Sequence, residues 1–273
     1  MAFPSDFRQA QPADQADGLR RLFSVRAVRF IPVVSNPFVP QPERLLQRMT
    51  SALESLGLYT LLVDACTRAP RARDEVLLPL SGCVQTRSDR VAYLSAGGLP
   101  ARWPDSGGAR GGFLHALIQA APLSQAVLLH ARAEELGHML GNGDHGLSRP
   151  RPIMLCDAQA ASVAHASAAL KQLAAEVGWR EHDMLLSAGM DAPAACEVSG
   201  RLAHCADVSF GGVQNDCIEI VVGRPPSWRA VEALASFMDS ALQAGAAFVP
   251  PVRPSRPGAA PRPIPSSCLQ PMV

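Results

Sequence analysis

Lysine is the residue that this chain most conspicuously lacks. Among its 25 basic residues there is a single lysine, Lys171. A Gly-rich phosphate loop ends in a lysine that neutralises the bound phosphates, so such a loop is excluded from everything before that position. Arginine is a wider, planar group and does not replace this lysine well. The first part of the chain therefore cannot hold a standard phosphate loop.

Three further shortages narrow the class of protein. The net charge is only +1, so no large basic surface is indicated and we expect no nucleic-acid binding. No apolar run reaches the roughly 20 residues that a membrane-spanning helix needs, so no stable membrane anchor is expected. The seven cysteines contain no C-x-x-C pair and no signal peptide is recognisable, which favours reduced thiols and a cytoplasmic location.

Strand patterns alternate with helix patterns along most of the chain. Strands are predicted at 28–34, 60–63, 91–95, 126–130, 152–156, 184–186 and 217–222, and helices at 42–56, 113–121, 132–140, 158–177, 192–204 and 228–243. This alternation predicts an α/β fold with a mostly parallel sheet flanked by helices. Pro32 lies inside the first strand and predicts a bulge or an early strand end there.

The composition divides the chain into four parts. Residues 1–13 are predicted to be disordered, residues 14–24 to form a short amphipathic helix, and residues 25–248 to form the α/β domain. Residues 249–273 are rich in proline and arginine and predict a disordered tail. The short helix could pack on its own domain or dock on a partner protein.

The loop after the first strand departs most clearly from a phosphate loop. It reads Ser35, Asn36, Pro37, Phe38, Val39, Pro40, Gln41, Pro42 and Glu43. It contains no glycine and no lysine, and its three prolines have no amide N–H to offer a phosphate. We therefore predict a degenerate nucleotide loop, and binding of ATP and Mg²⁺ is not expected.

Two polar residues at predicted strand ends allow more than one interpretation. Asp64 lies at the edge where α/β proteins bind ligands, or it caps the following loop. His130 could act as an acid, a base or a ligand, but no partner is identifiable from the sequence, which favours a strand-end histidine without a catalytic role. The Gly-rich stretch 97–112 is predicted to be a mobile loop rather than an anion site. His138 and His145 match no metal-binding spacing, and no metal site is predicted.

The order of strands and helices, together with the segment Thr60-Leu-Leu-Val-Asp64, resembles the MinD/ParA family of P-loop ATPases. The segment at 151–157 and the helix after it, which contains Lys171, also resemble that family. The resemblance implies an ATP-binding fold, but the phosphate loop and the aspartate expected after strand 126–130 are absent from this sequence. It therefore implies a pseudo-ATPase with no catalytic residues of its own.

A second motif narrows the resemblance. Residues Asp14, Gln15, Ala16, Leu19 and Arg20 match the motif D-Q-A-x-x-L-R of FlhG/FleN-type regulators of flagellar number. This resemblance implies that the N-terminal helix binds an FlhF-type GTPase and stimulates GTP hydrolysis. Gln15 would act near the nucleotide, Ala16 and Leu19 would make apolar contacts, and Arg20 would be a charged anchor.

The function expected from these features is a non-enzymatic regulator of flagellum number or placement. Two alternatives remain open. The first is an ATPase that binds nucleotide through a non-standard loop. The second is a scaffold that binds flagellar switch or transcription-regulator proteins.

Overall fold

The computed structural model describes residues 27–66, 80–103, 111–141, 149–188 and 192–248. The predicted disordered N-terminus, the short helix with its motif and the predicted tail lie outside these residues. Within them, no helix combines the length and the apolar character that crossing a membrane requires.

Strands and helices alternate as the hydrophobic pattern predicts. The strands are β1 Val28–Val34, β2 Thr60–Asp64, β3 Gln85–Thr86, β4 Val91–Ser95, β5 Ala126–Ala131, β6 Ile153–Cys156, β7 Glu181–Ala188, β8 Val213–Val221 and β9 Ala246–Phe248. The helices are α1 Pro42–Ser55, α2 Leu99–Arg102, α3 Gly111–Ala120, α4 Ala133–Leu140, α5 Ala160–Val177, α6 Ala192–Phe210 and α7 Trp228–Gln243, with a 3₁₀ turn at Leu80–Cys83. The prediction of a loop throughout 97–112 is wrong, because α2 lies inside this stretch and α3 begins before its end.

The strands form one sheet in the order β3-β4-β2-β5-β1-β6-β7-β8, and β9 pairs with β1. All pairs are parallel except β3 with β4 and β9 with β1. The prediction of a mostly parallel sheet is confirmed. The order also places β2, β5 and β1 side by side, so their carboxyl ends meet at one edge.

Pro32 causes neither a bulge nor an early strand end, and the structure shows why. The Arg29 amide donates to Gln125 O, just before β5, and the Ser35 amide donates to Ala131 O at the end of β5. Backbone amides alternate sides along a strand. The side of Pro32 that lacks an N–H therefore faces away from β5. On that side the pairing with β9 stops at Phe30 and the pairing with β6 starts at Val33. Pro32 lies between the two, so it removes no ladder hydrogen bond.

Helices cover both faces of the sheet. Helices α1 and α7 pack on one face, and the apolar stripe predicted for α1 is buried there. The buried side chains on this face include Leu45, Leu46, Met49 and Leu53 of α1, Phe237 and Met238 of α7, and Ile31, Val33, Leu62 and Leu128 of the sheet. Helices α3, α4 and α5 contribute to the core on the opposite face. This packing fixes the strand ends that carry the polar residues discussed next.

Candidate functional site

The candidate site lies at the carboxyl edge of the three central strands. Asp64 at the end of β2 is in register with His130 of β5, and Val34 at the end of β1 is in register with Ala131. Only strand β5 lies between Asp64 on β2 and the start of the loop that follows β1. In open α/β sheets, ligands bind at this edge.

The buried side chain of Asn36 connects the loop at residues 35–43 to β6 and α5 by hydrogen bonds. Its Nδ2 atom lies 3.0 Å from the backbone oxygens of Leu155 and Ser162 and 3.0 Å from Ser162 Oγ. Its Oδ1 atom accepts a hydrogen bond from the Phe38 amide at 3.1 Å. The ring of Phe38 then packs edge-on against His165 of α5. The loop is thus held by β6 and α5 through a side-chain amide.

Three of the six amide N–H groups of this loop are already bonded within the protein and cannot meet a phosphate. The Ser35 amide donates to Ala131 O at 2.8 Å, and the Val39 amide donates to Asn36 O at 3.2 Å. The Phe38 amide is bonded to the Asn36 side chain, and the three prolines have no N–H. Within the described part of the chain, the amides of Asn36, Gln41 and Glu43 are the ones left for a ligand, and no two of them are consecutive. A phosphate loop instead directs a series of consecutive amides at its anion.

The loop ends in an unusual backbone conformation. Gln41 has φ 50° and ψ 50°, and it precedes Pro42, the first residue of α1. The left-handed region costs a residue with a side chain roughly 1–2 kcal/mol. The chain reaches α1 through this residue and not through a glycine.

Next to this loop, Asp64 and His130 form a buried pair. His130 Nδ1 lies 2.9 Å from Asp64 Oδ1, and the His130 side chain is 2% exposed. The sequence identified no partner for His130, and the structure shows that Asp64 is one. The two residues are 66 positions apart, and only the adjacency of β2 and β5 brings them together.

Cys66 completes a cluster that the sequence analysis missed. It follows β2, is half-buried, and donates its backbone amide to Asp64 Oδ1 at 3.3 Å. Among the described residues, Asp64, Cys66 and His130 place an oxygen, a sulfur and a nitrogen within 4.8 Å of one another. No sequence signal marked Cys66, because its partner on β5 is distant along the chain.

The charges of the pair follow from its burial and its hydrogen bond. Burial by itself lowers the pKa of His130, but the bond to Asp64 and the nearby Cys66 outweigh it and raise that pKa to about 9. Burial by itself raises the pKa of Asp64, and the contact with His130 reverses this and lowers it. At neutral pH the pair is therefore an imidazolium next to a carboxylate.

One nitrogen of this pair has no partner. Nε2 of His130 is buried and makes no hydrogen bond within the described part of the chain. A buried polar group left in this way costs about 1–3 kcal/mol. The hydrogen bonding of the His130 side chain is therefore less complete than that of the Asn36 side chain in the neighbouring loop.

A cavity of about 540 Å³ opens beside Asp64. Its wall includes Glu43 of α1, Tyr93 of β4 and Arg87, whose guanidinium lies 4.7 Å from the centroid of the Tyr93 ring. Burial and the Asp64 charge raise the pKa of Tyr93. A ligand at the strand ends would thus have room on the α1 side of the sheet.

No family model matches this sequence. No curated protein matches it either. Among solved structures, cobyrinic acid a,c-diamide synthase from Mycobacterium smegmatis with bound ATP analog and magnesium is similar, with 14% identity and a TM-score of 0.52 over 79% of this chain and 94% of that chain. A plasmid partition protein from Borrelia burgdorferi is similar with 8% identity and a TM-score of 0.50 over 79% and 98%. The MinC:MinD cell division protein complex from Aquifex aeolicus matches with 14% identity and a TM-score of 0.47 over 80% and 92%.

At these identities, the matches with TM-scores of 0.50 and above show a shared fold. The chain shares with the synthase and the plasmid partition protein a mostly parallel α/β fold. The ATP analog and magnesium belong to the synthase. The motif residues Asp14, Gln15, Ala16, Leu19 and Arg20 lie outside the described residues, so their predicted role stays a prediction.

Proposed function

We propose that this protein is a MinD/ParA-like regulator that does not hydrolyse ATP. It binds an FlhF-type GTPase through residues 14–20, stimulates GTP hydrolysis, and so helps to set the number or placement of flagella. One structural observation carries the first half of this proposal, namely the path of the loop at residues 35–43. The second half rests on the sequence motif.

The loop path supports a protein without an ATP site. A phosphate loop needs converging amides and a lysine, whereas this loop has no lysine, three prolines without an N–H, and a buried asparagine that bonds the Phe38 amide. The neighbouring strand ends in His130 and Ala131, where an Asp would hold Mg²⁺ or orient water in a P-loop ATPase. Because Mg²⁺ prefers oxygen ligands in octahedral geometry, an imidazole there is a poor substitute.

Calorimetric titration of the full-length protein with ATP and Mg²⁺ tests this half. We expect no binding heat and no phosphate release. Binding in the micromolar range would contradict the proposal and would favour the second candidate, an ATPase with a non-standard loop. The cavity beside Asp64 is the observation that favours that candidate, because it offers volume at the ligand edge.

The motif supports docking on a GTPase through the chemistry of its side chains. A glutamine both donates and accepts hydrogen bonds, so Gln15 can orient the water that attacks a nucleotide. Ala16, Leu19 and Arg20 follow at helical spacing and would share one face of a helix. That face would present apolar contacts and one cation to the partner.

Measuring GTP turnover by a purified FlhF-type GTPase tests this half. We expect the wild-type protein to raise turnover, and Gln15→Ala to lose most of the stimulation while still binding. Gln11→Ala removes a glutamine outside the motif and is the matched control. Equal turnover with wild type and Gln15→Ala would refute the activating role.

Removing residues 1–25 separates docking from the scaffold alternative. The proposal predicts that the truncated protein no longer binds the GTPase. Retention of every partner by that variant would favour a scaffold that binds through the α/β domain.

A further inference from the structure

The cluster at the ends of β2 and β5 has the composition of a metal site. Asp64 and Cys66 lie where the chain leaves β2, and His130 lies at the end of β5. Their oxygen, sulfur and nitrogen atoms are mutually within 4.8 Å. Two adjacent, hydrogen-bonded strands position all three, so the donor set rests on the rigid part of the fold.

Protein contacts hold the donor atoms of the cluster close together. The His130 side chain is 2% exposed and its Nδ1 lies 2.9 Å from Asp64 Oδ1, and the Cys66 amide donates to the same oxygen at 3.3 Å. Nδ1 is therefore the ring nitrogen that faces the other two residues, whereas the buried Nε2 lies on the far side of the ring.

We propose that Asp64, Cys66 and His130 bind one divalent ion of the Zn²⁺ class. Thiolate and imidazole are ligands of Zn²⁺, Co²⁺ and similar ions, whereas Mg²⁺ and Ca²⁺ take oxygen ligands. Nδ1 is the ring nitrogen of His130 that faces the other donors, 2.9 Å from Asp64 Oδ1, so it would bind the ion in place of its hydrogen bond to Asp64. Metal binding requires the thiolate of Cys66 and the neutral imidazole of His130, so each of these residues releases a proton to solvent.

Three protein ligands leave the usual fourth position of such an ion open. The three ligands lie at the carboxyl edge of the sheet, and Asp64 lines the cavity of about 540 Å³, whose wall also includes Glu43. The ion would therefore present an exchangeable site, filled by water or by a donor group of another molecule. This inference does not depend on GTPase docking and goes beyond the proposed function.

Cobalt titration of the full-length protein, reduced and stripped with a chelator, tests the site directly. We expect one equivalent of Co²⁺ to bind with a thiolate-to-cobalt charge-transfer band. Zn²⁺ should displace the Co²⁺ and abolish the band, whereas excess Mg²⁺ should leave it unchanged. Cys66→Ser should remove the band, and His130→Gln and Asp64→Asn should each weaken Co²⁺ binding at least tenfold.

Two variants serve as controls outside the cluster. Cys205→Ser changes a half-buried thiol of α6, and His115→Gln changes a half-buried histidine of α3, and both should bind Co²⁺ as the wild type does. Far-ultraviolet circular dichroism checks that each variant is folded. If His130→Gln does not fold, Cys66→Ser and Asp64→Asn decide the question.

Three results would overturn the proposal. The first is a wild-type protein that gives no charge-transfer band. The second is a band that survives in Cys66→Ser, because another thiol then binds the metal. The third is competition by Mg²⁺ at concentrations comparable with Co²⁺, because that behaviour belongs to an oxygen-ligand site.

Discussion

Buried charges occur at both ends of the sheet, and the two groups differ in how completely they are paired. At the amino side, Asp183 of β7 is fully buried, and both of its oxygens are bonded. Arg151 Nε donates to one oxygen at 2.8 Å, and the Asp216 amide donates to the other at 3.1 Å. Ser240 of α7 closes the network, since it accepts from Arg151 at 2.8 Å and donates to Asp216 at 2.9 Å.

At the carboxyl side, the pairing is incomplete. Asp64 and His130 share one hydrogen bond, but Nε2 of His130 has no partner in the described residues, and Cys66 lies beside the pair. A network in which every donor and acceptor is paired holds strands and helices together. It has no unpaired group that could bind a ligand. A cluster with an unpaired buried atom contributes less to the fold. The network around Asp183 is therefore structural, whereas the cluster around Asp64 is the one that we propose binds a metal ion.

Removing Arg151 should give the largest effect. In Arg151→Met, the Asp183 carboxylate stays buried and loses its cation, and breaking a buried pair in this way costs about 3–5 kcal/mol. Burial already raises the pKa of Asp183 despite Arg151, so the variant should also take up a proton there. Chemical denaturation measures the loss. Arg180→Met, at an exposed position, is the control and should change stability by about 0.5 kcal/mol or less. A loss below about 1 kcal/mol for Arg151→Met would show that the network is not structural.

His182 of β7 should give the next largest effect, and it depends on pH. Both ring nitrogens are buried and make no hydrogen bond of ordinary geometry within the described chain. Burial lowers the pKa of His182 to about 4, and a weaker contact with the Arg180 backbone opposes this only in part. In the unfolded chain the pKa is close to the ordinary 6.5, so the unfolded state binds more protons between these values. Stability should therefore fall as the pH drops from 6.5 to 4, by up to about 3 kcal/mol.

Denaturation at several pH values, comparing wild type with His182→Leu, isolates this contribution. The leucine variant should lose less stability over that interval, because it has no proton to bind at this position. His138→Gln changes an exposed histidine of α4 and should keep the wild-type pH dependence. Identical pH slopes for wild type and His182→Leu would contradict the prediction.

The same contrast explains what the sequence could and could not predict. The strands and helices are local, periodic patterns, so their order and the parallel sheet were predictable. The effect of Pro32 depends on where β9 stops and β6 starts, and the pairing of Asp64 with His130 depends on the strand order. Both properties depend on contacts between segments that are far apart in the sequence, so a local sequence pattern cannot predict them. The loop at residues 35–43 was recognisable as unusual, but nothing in it indicated that Asn36 reaches Ser162 across the sheet edge.

Replacing Asn36 tests whether the loop at residues 35–43, unlike the cluster around Asp64, is held by fully formed hydrogen bonds. Asn36→Ala should lower the free energy of unfolding by about 2 kcal/mol, because the buried oxygens of Leu155 and Ser162 lose their donor. Thermal or chemical denaturation measures the change. Asn215→Ala, at an exposed position of β8, is the control and should stay within about 0.5 kcal/mol of wild type. An unchanged stability for Asn36→Ala would mean that its hydrogen bonds do not hold the loop.

Cys66→Ser should give the smallest effect on the metal-free protein. The thiol is half-buried and the exchange removes little volume, so stability in the presence of a chelator should change by about 0.5 kcal/mol or less. With Zn²⁺ the two proteins should differ, because a ligand at about 100 times its Kd stabilises the folded state by about 2.7 kcal/mol. The melting temperature of wild type should then rise on adding Zn²⁺, and that of Cys66→Ser should rise much less. A large loss of stability in the chelated variant would assign Cys66 to the fold, and the cluster would then resemble the network around Asp183 rather than a binding site.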